Sequence, residues 1–296
     1  MIDLHLHTNS SDGTQTVQQL LTRAQDMKLD VISITDHNSV DGYDVIKKEK
    51  CRNLFNGQII VGSEMYFCEQ GINNEILGYG LDIDTIKGSP LFDTDIKRQQ
   101  QMEFLDIGYE VFKNVGFKMS PISKLQQQVL SSNVIAVDWL IDDAVLHEEN
   151  KALIEKMGIP MNEQYYFQFI DNENSPLFVP VRKYTPTLKD ASKIIRDAGG
   201  LVFMAHIFRI PNEEQAKALL DYATSNRLID GVEVYYRNFT TEQIEYLEKY
   251  CRKHNLLMSG GSDAHHLKDP ICYAGQRHNS IANNLVEPWL GRVRKI

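Results

Sequence analysis

The chain has 296 residues, 42% of them hydrophobic and 24% charged, with a formal net charge of −9 at pH 7. That length can bury one large core or a domain with an insertion, while the acidic balance counts against binding long nucleic acid, which needs a basic track. No run approaches the ~18 apolar residues of a membrane span, and no secretory signal is visible at the start.

A strand is expected over Met1–His5, because Ile2-Asp3-Leu4-His5-Leu6-His7 alternates apolar and polar residues with the period of two of extended chain. That period turns His5 and His7 to one face at a strand end, where two imidazoles make half of a metal site. Buried in a core, their ring nitrogens would each need a partner. A turn-rich loop, Asn9-Ser10-Ser11-Asp12-Gly13-Thr14, follows and carries one carboxylate. A helix over Thr16–Met27, a strand over Val31–Thr35 running into Asp36-His37-Asn38, and a helix near Gly42–Leu54 come next. Strands Gln58–Phe67, which holds Gly62-Ser63-Glu64, and Glu75–Leu81 close this first part.

From Ser89 to Pro180 strand signals vanish, and Ile96–Asn114, Ile122–Leu130, Val134–Leu146 and Lys151–Met157 have helical periodicity. Residues 89–180 are therefore expected to form an inserted helical subdomain capping a barrel built from 1–88 and 181–296. The earlier rhythm then returns: helix Leu188–Ala198, strand Leu201–Ala205 ending in His206, helix Glu213–Asn226, strand Gly231–Tyr235, helix Thr241–His254 and strand Leu256–Ser259. The last runs into Gly260-Gly261-Ser262-Asp263-Ala264-His265-His266. Cys51, Cys68, Cys251 and Cys272 make no CxxC pair and read as reduced thiols of a cytoplasmic protein.

Strand–helix alternation argues for an α/β fold with a largely parallel sheet. Polar residues at five strand ends argue for a barrel with its site at that rim. Imidazole and carboxylate donors suit Zn, Mn or Fe, and clustered ions can clamp the attacking and leaving oxygens of a displacement. Each residue alone has a plainer reading: Asp12 or Asp36 as a helix N-cap, a lone His as a structural residue. Five strand ends carrying such groups together are not explained that way.

These residues resemble the PHP (polymerase and histidinol phosphatase) family, most closely its free-standing bacterial phosphoesterase branch. The resemblance lies in Asp3-Leu4-His5-Leu6-His7-Thr8-Asn9-Ser10-Ser11-Asp12-Gly13, Ile34-Thr35-Asp36-His37-Asn38, Gly62-Ser63-Glu64, Ile76-Leu77-Gly78-Tyr79, Ala205-His206 and Gly261-Ser262-Asp263-Ala264-His265. It implies a distorted (β/α)7 barrel holding two or three divalent ions (Mn, Zn, Fe or Mg). By it, His5, His7, Glu64 and Asp263 hold one ion, Glu64 bridges to a second, and Asp12, His37 and His265 hold a third. His206 matches a histidine that joins the cluster or contacts a substrate phosphate.

Two positions depart from the family. Glu75 stands where the family usually has a His ligand, and the stretch Ser132-Asn133-Val134-Ile135 lacks a His that relatives carry in the insertion. Glu75 is expected to remain a ligand and to shift preference toward harder ions; the alternative is a surface acid. His147, the insertion's one imidazole, reads as an exposed helical residue rather than a substitute ligand.

The resemblance implies a metal-dependent phosphoric monoester or diester hydrolase in which metal-activated water attacks phosphorus. Glu64, His206 and Arg209 are the expected catalytic residues, Arg209 gripping phosphate oxygens. Arg182 and Arg237 read as surface charges, His266 as a loop residue or an orienting partner, and Tyr235-Tyr236 as a buried strand end. A small phosphorylated substrate is expected, such as a nucleotide with 3′ and 5′ phosphates; trimming of short RNA 5′ ends fits the acidity less well. No membrane partner is expected, and the sequence does not define an oligomeric state. Two alternatives remain: a non-catalytic metal-binding sensor, and a C–N hydrolase, which would commonly bridge its metals with a modified Lys where this chain has Glu64.

Overall fold

Strand β1 (Ile2–Leu6) is buried along its whole length, in a computed structural model that describes residues 1–131, 136–161, 165–180, 185–272 and 281–296. Helix α1 (Val17–Asp26) begins at Thr16, whose hydroxyl accepts from Gln19 N while the Gln19 side chain accepts from Thr16 N, a reciprocal cap that satisfies two orphan donors. Strand β2 (Val31–Ile34) leads to α2 (Asp41–Lys48), which has Val40 at its N-cap position and no side-chain cap. Neither Asp12 nor Asp36 therefore caps a helix. The helix expected to reach Leu54 stops at Lys48, because Lys50 adopts φ 52° and starts a 3₁₀ turn over Cys51–Leu54.

Strands β3 (Gln58–Glu69) and β4 (Ile72–Tyr79) are joined by Gln70-Gly71, at φ 50° and 79°. A two-residue turn with both central residues at positive φ makes a tight hairpin. Two consecutive strands were expected here, and their pairing is antiparallel, a local departure from the largely parallel sheet. Helix α3 (Ile83–Lys87) follows.

The chain divides into two compact units, Met1–Phe92 with Pro186–Ile296, and Asp93–Thr185. The second contains α4 (Thr94–Val115), α5 (Ile122–Ser131), α6 (Ala136–Leu146) and α7 (Lys151–Met157). Asp93 accepts from Asp95 N and Ile96 N and starts α4 earlier than its apolar periodicity indicates; Gly116, at φ 106°, ends it. Phe104, Leu105, Phe112, Leu140, Ile170 and Val179 form a core belonging to this unit alone. Ser132–Ile135, the stretch in which the resemblance implied a His, lies outside the described residues.

The first unit resumes with α8 (Leu188–Asp197), β5 (Leu201–Met204), α9 (Glu213–Ser225), β6 (Gly231–Tyr236), α10 (Thr241–His254), β7 (Leu257–Gly261) and α11 (Glu287–Leu290). Its sheet has the order β1-β2-β3-β4-β5-β6-β7, antiparallel on both sides of β4 and parallel elsewhere. Asp263 N donates to His5 O at 2.8 Å and His7 N to Ala264 O at 3.1 Å, drawing the last strand's end against the first. The result is a nearly closed α/β barrel. Among the described residues no helix is long and apolar enough to cross a membrane.

Closure depends on Gly261. A Cβ there would stand 2.2 Å from His5 Cβ and 2.5 Å from His5 N, and neither backbone can yield without parting the strands. Gly261→Ala is expected to cost about 3 kcal/mol, the upper end of ordinary overpacking, measured by urea denaturation. A loss below about 0.5 kcal/mol, typical of an uncrowded surface site, would show that the seam is slack.

Candidate metal centre

Period-two alternation on β1 sends His5 and His7 to one side, and both are fully buried. Asp12 is carried by a loop that buried Asp36 secures. The Asp36 carboxylate accepts from Thr8 N at 2.7 Å, Thr8 Oγ1 at 2.6 Å and Ser11 Oγ at 2.6 Å. His37 follows β2, Glu64 lies within β3, and His206 follows β5. Asp263 follows β7 with φ 53°, a left-handed conformation that Asp tolerates at some cost. Because β4 runs antiparallel, Glu75 reaches the same rim from its strand's N-terminal half, opposite Tyr66.

The structure brings all nine expected donor residues into three adjoining groups. In the first, His5 Nε2 lies 3.1 Å from Glu64 Oε2 and 3.4 Å from Asp263 Oδ1, while His7 Nε2 lies 3.3 and 3.2 Å from the same atoms. In the second, Asp12 stands 3.4 Å from His7 Nδ1, 3.4 Å from His37 Nε2 and 3.1 Å from His265 Nε2. In the third, Glu75 faces inward: Oε2 is 3.1 Å from His206 Nε2 and Oε1 is 3.8 Å from His37 Nδ1. His206 Nε2 also lies 2.9 Å from Glu64 Oε1, and His37 Nδ1 lies 3.4 Å from Glu64 Oε2. The surface-acid alternative for Glu75 is excluded, since its side chain is only 12% exposed.

This donor set fits divalent cations. Atoms bound to one small ion at ~2.0–2.2 Å stand roughly 3–3.5 Å apart, the spacing seen between most of these nitrogens and oxygens. His7 is decisive: both its ring nitrogens are buried without a hydrogen-bond partner, as is His37 Nδ1. A fold with only hydrogen bonds in view would leave such groups unsatisfied at about 1–3 kcal/mol each.

Electrostatics point the same way. Burial disfavours charge on every member, yet mutual attraction overrides it. Despite burial, the charge of Glu64, with Glu233 and Asp263, holds His5 well above the usual imidazole range. Against the same burial, the nearby carboxylates of Asp12, Asp263 and Glu64 do the same for His7. Against the same desolvation, Asp12, Glu64 and Asp263 are held well below the carboxylate range by the surrounding imidazoles. Buried His206 is pushed up to about 9 by Glu64 and Glu75. Without cations, protons on the imidazoles balance the carboxylates.

Sequence reasoning missed Glu233, on β6. Fully buried, it lies 2.9 Å from His5 Nδ1 through Oε1 and accepts from His206 N at 2.8 Å through Oε2. Its signal was an acid set between Val232 and Val234, both buried, where an apolar strand has no use for a carboxylate. By holding the proton on His5 Nδ1 it aims Nε2 at Glu64 and Asp263. Glu233→Gln is expected to weaken metal binding about 10- to 100-fold, read by isothermal titration calorimetry. Unchanged affinity would reduce Glu233 to a packing residue. Tyr236, also overlooked as a site residue, donates from its hydroxyl to Asp263 Oδ2 at 3.0 Å.

Other expected residues fall outside the centre. His266 is exposed, with Nδ1 3.1 Å from Thr14 Oγ1. Tyr235 donates to Glu248 Oε1 at 2.6 Å. Arg237 pairs with Asp269 at 3.8 Å. His147 is half-buried in its own unit, 3.5 Å from Asp143 Oδ2, where an exposed residue was expected. Arg182 lies outside the described residues. Arg209 belongs at the rim: its guanidinium is 34% exposed and 3.6 Å from Asp263 Oδ2.

Fold and site together define an α/β barrel protein with a cluster of imidazole and carboxylate donors where its strands converge. The PHP domain family matches residues 3–294, and the chain belongs to that family. A 5′-3′ exoribonuclease of Haemophilus influenzae is 23% identical over 265 residues, covering 89% of each protein. A phosphoribosyl 1,2-cyclic phosphate 1,2-diphosphodiesterase of Eggerthella lenta is 21% identical over 272 residues, covering 89% of this chain and 93% of that one. Among solved structures, a chain from Bifidobacterium adolescentis described as a metal-dependent phosphoesterase superposes with a TM-score of 0.70 at 22% identity, covering 99% of this chain and 96% of its own. That likeness establishes the fold.

Proposed function

We propose that this protein is a metal-dependent phosphoesterase acting on a small phosphorylated substrate, with a nucleotide carrying 3′ and 5′ phosphates as the leading candidate. The observation that carries this reading is one exposed cation at the edge of a buried, carboxylate-rich donor cluster: the Arg209 guanidinium, 3.6 Å from Asp263. The imidazoles and carboxylates of the cluster would hold divalent ions, which would supply Lewis acidity toward a phosphoryl oxygen and lower the pKa of water. Arg209 grips the remaining phosphoryl oxygens with its planar fork and offsets their charge. Burial opposes ionisation there, but Glu75, Asp263 and Glu64 keep the guanidinium firmly protonated. Glu64, reaching four imidazoles through two oxygens, fixes the spacing of the centre, and His206 lines its Glu75 side. The relatives named for exoribonuclease and cyclic-phosphate diphosphodiesterase activity support phosphoester chemistry.

The test is a screen of p-nitrophenyl phosphate, 3′,5′-bisphosphates and cyclic phosphates with manganese-loaded protein. Turnover of at least one class is expected; fully loaded protein inert toward all of them would end this reading. Arg209→Ala is expected to raise KM about 10- to 100-fold, as befits one charged hydrogen-bonding pair, with metal content unchanged. A fall in metal content instead would make Arg209 a support of Asp263.

A further inference from the structure

An irregularity in the pairing of β6 decides which of its side chains reach the centre. Glu233 pairs with Ser259 but Tyr236 with Gly261, so the register with β7 shifts by one residue between Glu233 and Tyr235. An extra residue in one strand re-aims the side chains that follow it. Strict alternation from Glu233 would turn Tyr235 toward the centre. Instead Tyr235 donates to Glu248 of α10 at 2.6 Å, and Tyr236 reaches Asp263. Tyr236 is buried, its ring edge-on to that of His206 at 5.3 Å. Its hydroxyl donates to Asp263 Oδ2 at 3.0 Å, while Asp263 Oδ1 faces His5, His7 and His265 at 3.4, 3.2 and 3.5 Å. Arg209 approaches the same Oδ2 but stops at 3.6 Å, beyond direct hydrogen bonding. A hydroxyl and a guanidinium thus share one carboxylate oxygen, and only the hydroxyl is bonded to it.

We propose that Tyr236 is a positioning residue for Arg209: by satisfying Asp263 Oδ2 it keeps the guanidinium from closing onto that carboxylate and leaves its N–H fork for an anionic oxygen of the substrate. The inference rests on the phosphate-gripping reading of Arg209 given above. Asp263 is buried, and a buried carboxylate oxygen that loses its donor is costly. Without the hydroxyl, the cation already beside that oxygen takes its place, since a shift of about 1 Å gives a charge-assisted bond of about 2.7–2.9 Å. A guanidinium so engaged has fewer N–H groups and less charge to offer a phosphate. A neutral phenol satisfies the same oxygen without consuming the cation. Tyr236 therefore acts through Asp263.

The experiment uses the full manganese-loaded chain with inorganic phosphate as the probe, so no turnover is required. Isothermal titration calorimetry reads phosphate affinity, and mass spectrometry counts the bound ions. Tyr236→Phe keeps the ring and removes only the hydroxyl. It should retain its manganese and bind phosphate about tenfold more weakly, the scale of one charged hydrogen bond. Arg209→Ala should lose at least as much, and adding Tyr236→Phe to it should cost nothing further, because residues that act through one another are not additive. Wild-type phosphate affinity in Tyr236→Phe overturns the proposal. So do losses that multiply in the double variant, and so does manganese lost from Tyr236→Phe alone, which would make the phenol a support of the metal. If Tyr236→Phe fails to fold by circular dichroism, nuclear magnetic resonance of the Arg209 guanidinium in zinc-loaded wild-type protein decides. Its N–H signals should shift when phosphate is added, and signals indifferent to phosphate overturn the proposal. A wild-type chain that binds no phosphate refutes the grip of Arg209 and this proposal together. The expected affinities in a protein that hydrolyses no phosphoester refute only the hydrolase reading.

Discussion

Replacing Glu64 with Ala should abolish hydrolysis and reduce metal content in the same protein. One oxygen of this carboxylate lies 3.1 Å from His5, 3.3 Å from His7 and 3.4 Å from His37, and the other lies 2.9 Å from His206. It therefore belongs to two of the three groups at once. Its removal takes away the shared oxygen donors and leaves four imidazoles, three of them buried, around the gap, with His5 and His206 ring centres 5.5 Å apart. The loss in kcat is expected to exceed about 10³-fold, above the 10²–10³ of a single lost transition-state donor, because binding and electrostatic stabilisation fall together. Metal content should drop by at least one equivalent. Asp263→Ala should behave alike, since Asp263 stands within 3.5 Å of His5, His7 and His265. Arg237→Ala, whose partner is Asp269, serves as the control and should alter neither quantity. Activity surviving in either ligand variant would mean that the chemistry happens elsewhere.

The donor set was readable because barrel geometry turns a one-dimensional feature, a polar residue at a strand's end, into a spatial one. Five such ends were expected; four are ends and converge, while Glu64, read as the fifth, lies mid-strand in β3 and meets them there. His5 and His7 needed only the period of two. Glu75 was harder. Its strand is antiparallel, so its place at the rim follows from pairing with Tyr66 across a hairpin, and that pairing depends on two positive-φ residues at Gln70-Gly71. A strand acid considered alone has no such context, which is why solvent and site remained open for it. Glu233 was missed for a related reason. It lies mid-strand among valines, where position along the chain does not reveal that His5 Nδ1 is its partner. Asp36 shows the opposite error: a helix-cap reading was chemically sound, yet its oxygens serve Thr8 and Ser11 and so hold the loop that bears Asp12.

Removing the ions should both destabilise the protein and invert the sign of its pH dependence. An ion present at a thousandfold its dissociation constant contributes about 4 kcal/mol, and each kcal/mol shifts Tm by roughly 2–4 °C in a unit of this size. Chelation should thus lower Tm by about 10 °C, as seen by calorimetry. The inversion follows from the imidazoles. In ion-free protein, His206 rises from 6.5 to about 9, burial opposing and Glu64 and Glu75 driving the shift; His5, His7 and His37 shift in the same direction. A raised folded-state pKa gives stability that is complete below about 6.5, the unfolded value, and fades as pH climbs through the folded one. The depressed carboxylates Asp12, Glu64 and Asp263 give stability present above about pH 4 and lost as pH falls through their folded values. Ion-free protein should therefore be most stable between roughly pH 4 and 6.5 and weaken toward pH 9. Ions require neutral imidazoles, so loading expels those protons and tightens as pH rises. Between pH 6.5 and 9, Tm should fall in the stripped protein and hold or climb in the loaded one, and calorimetric titrations in buffers of different ionisation enthalpy should register proton release. Parallel slopes in the two forms, or binding without proton release at pH 7, would show that these imidazoles do not face the cations.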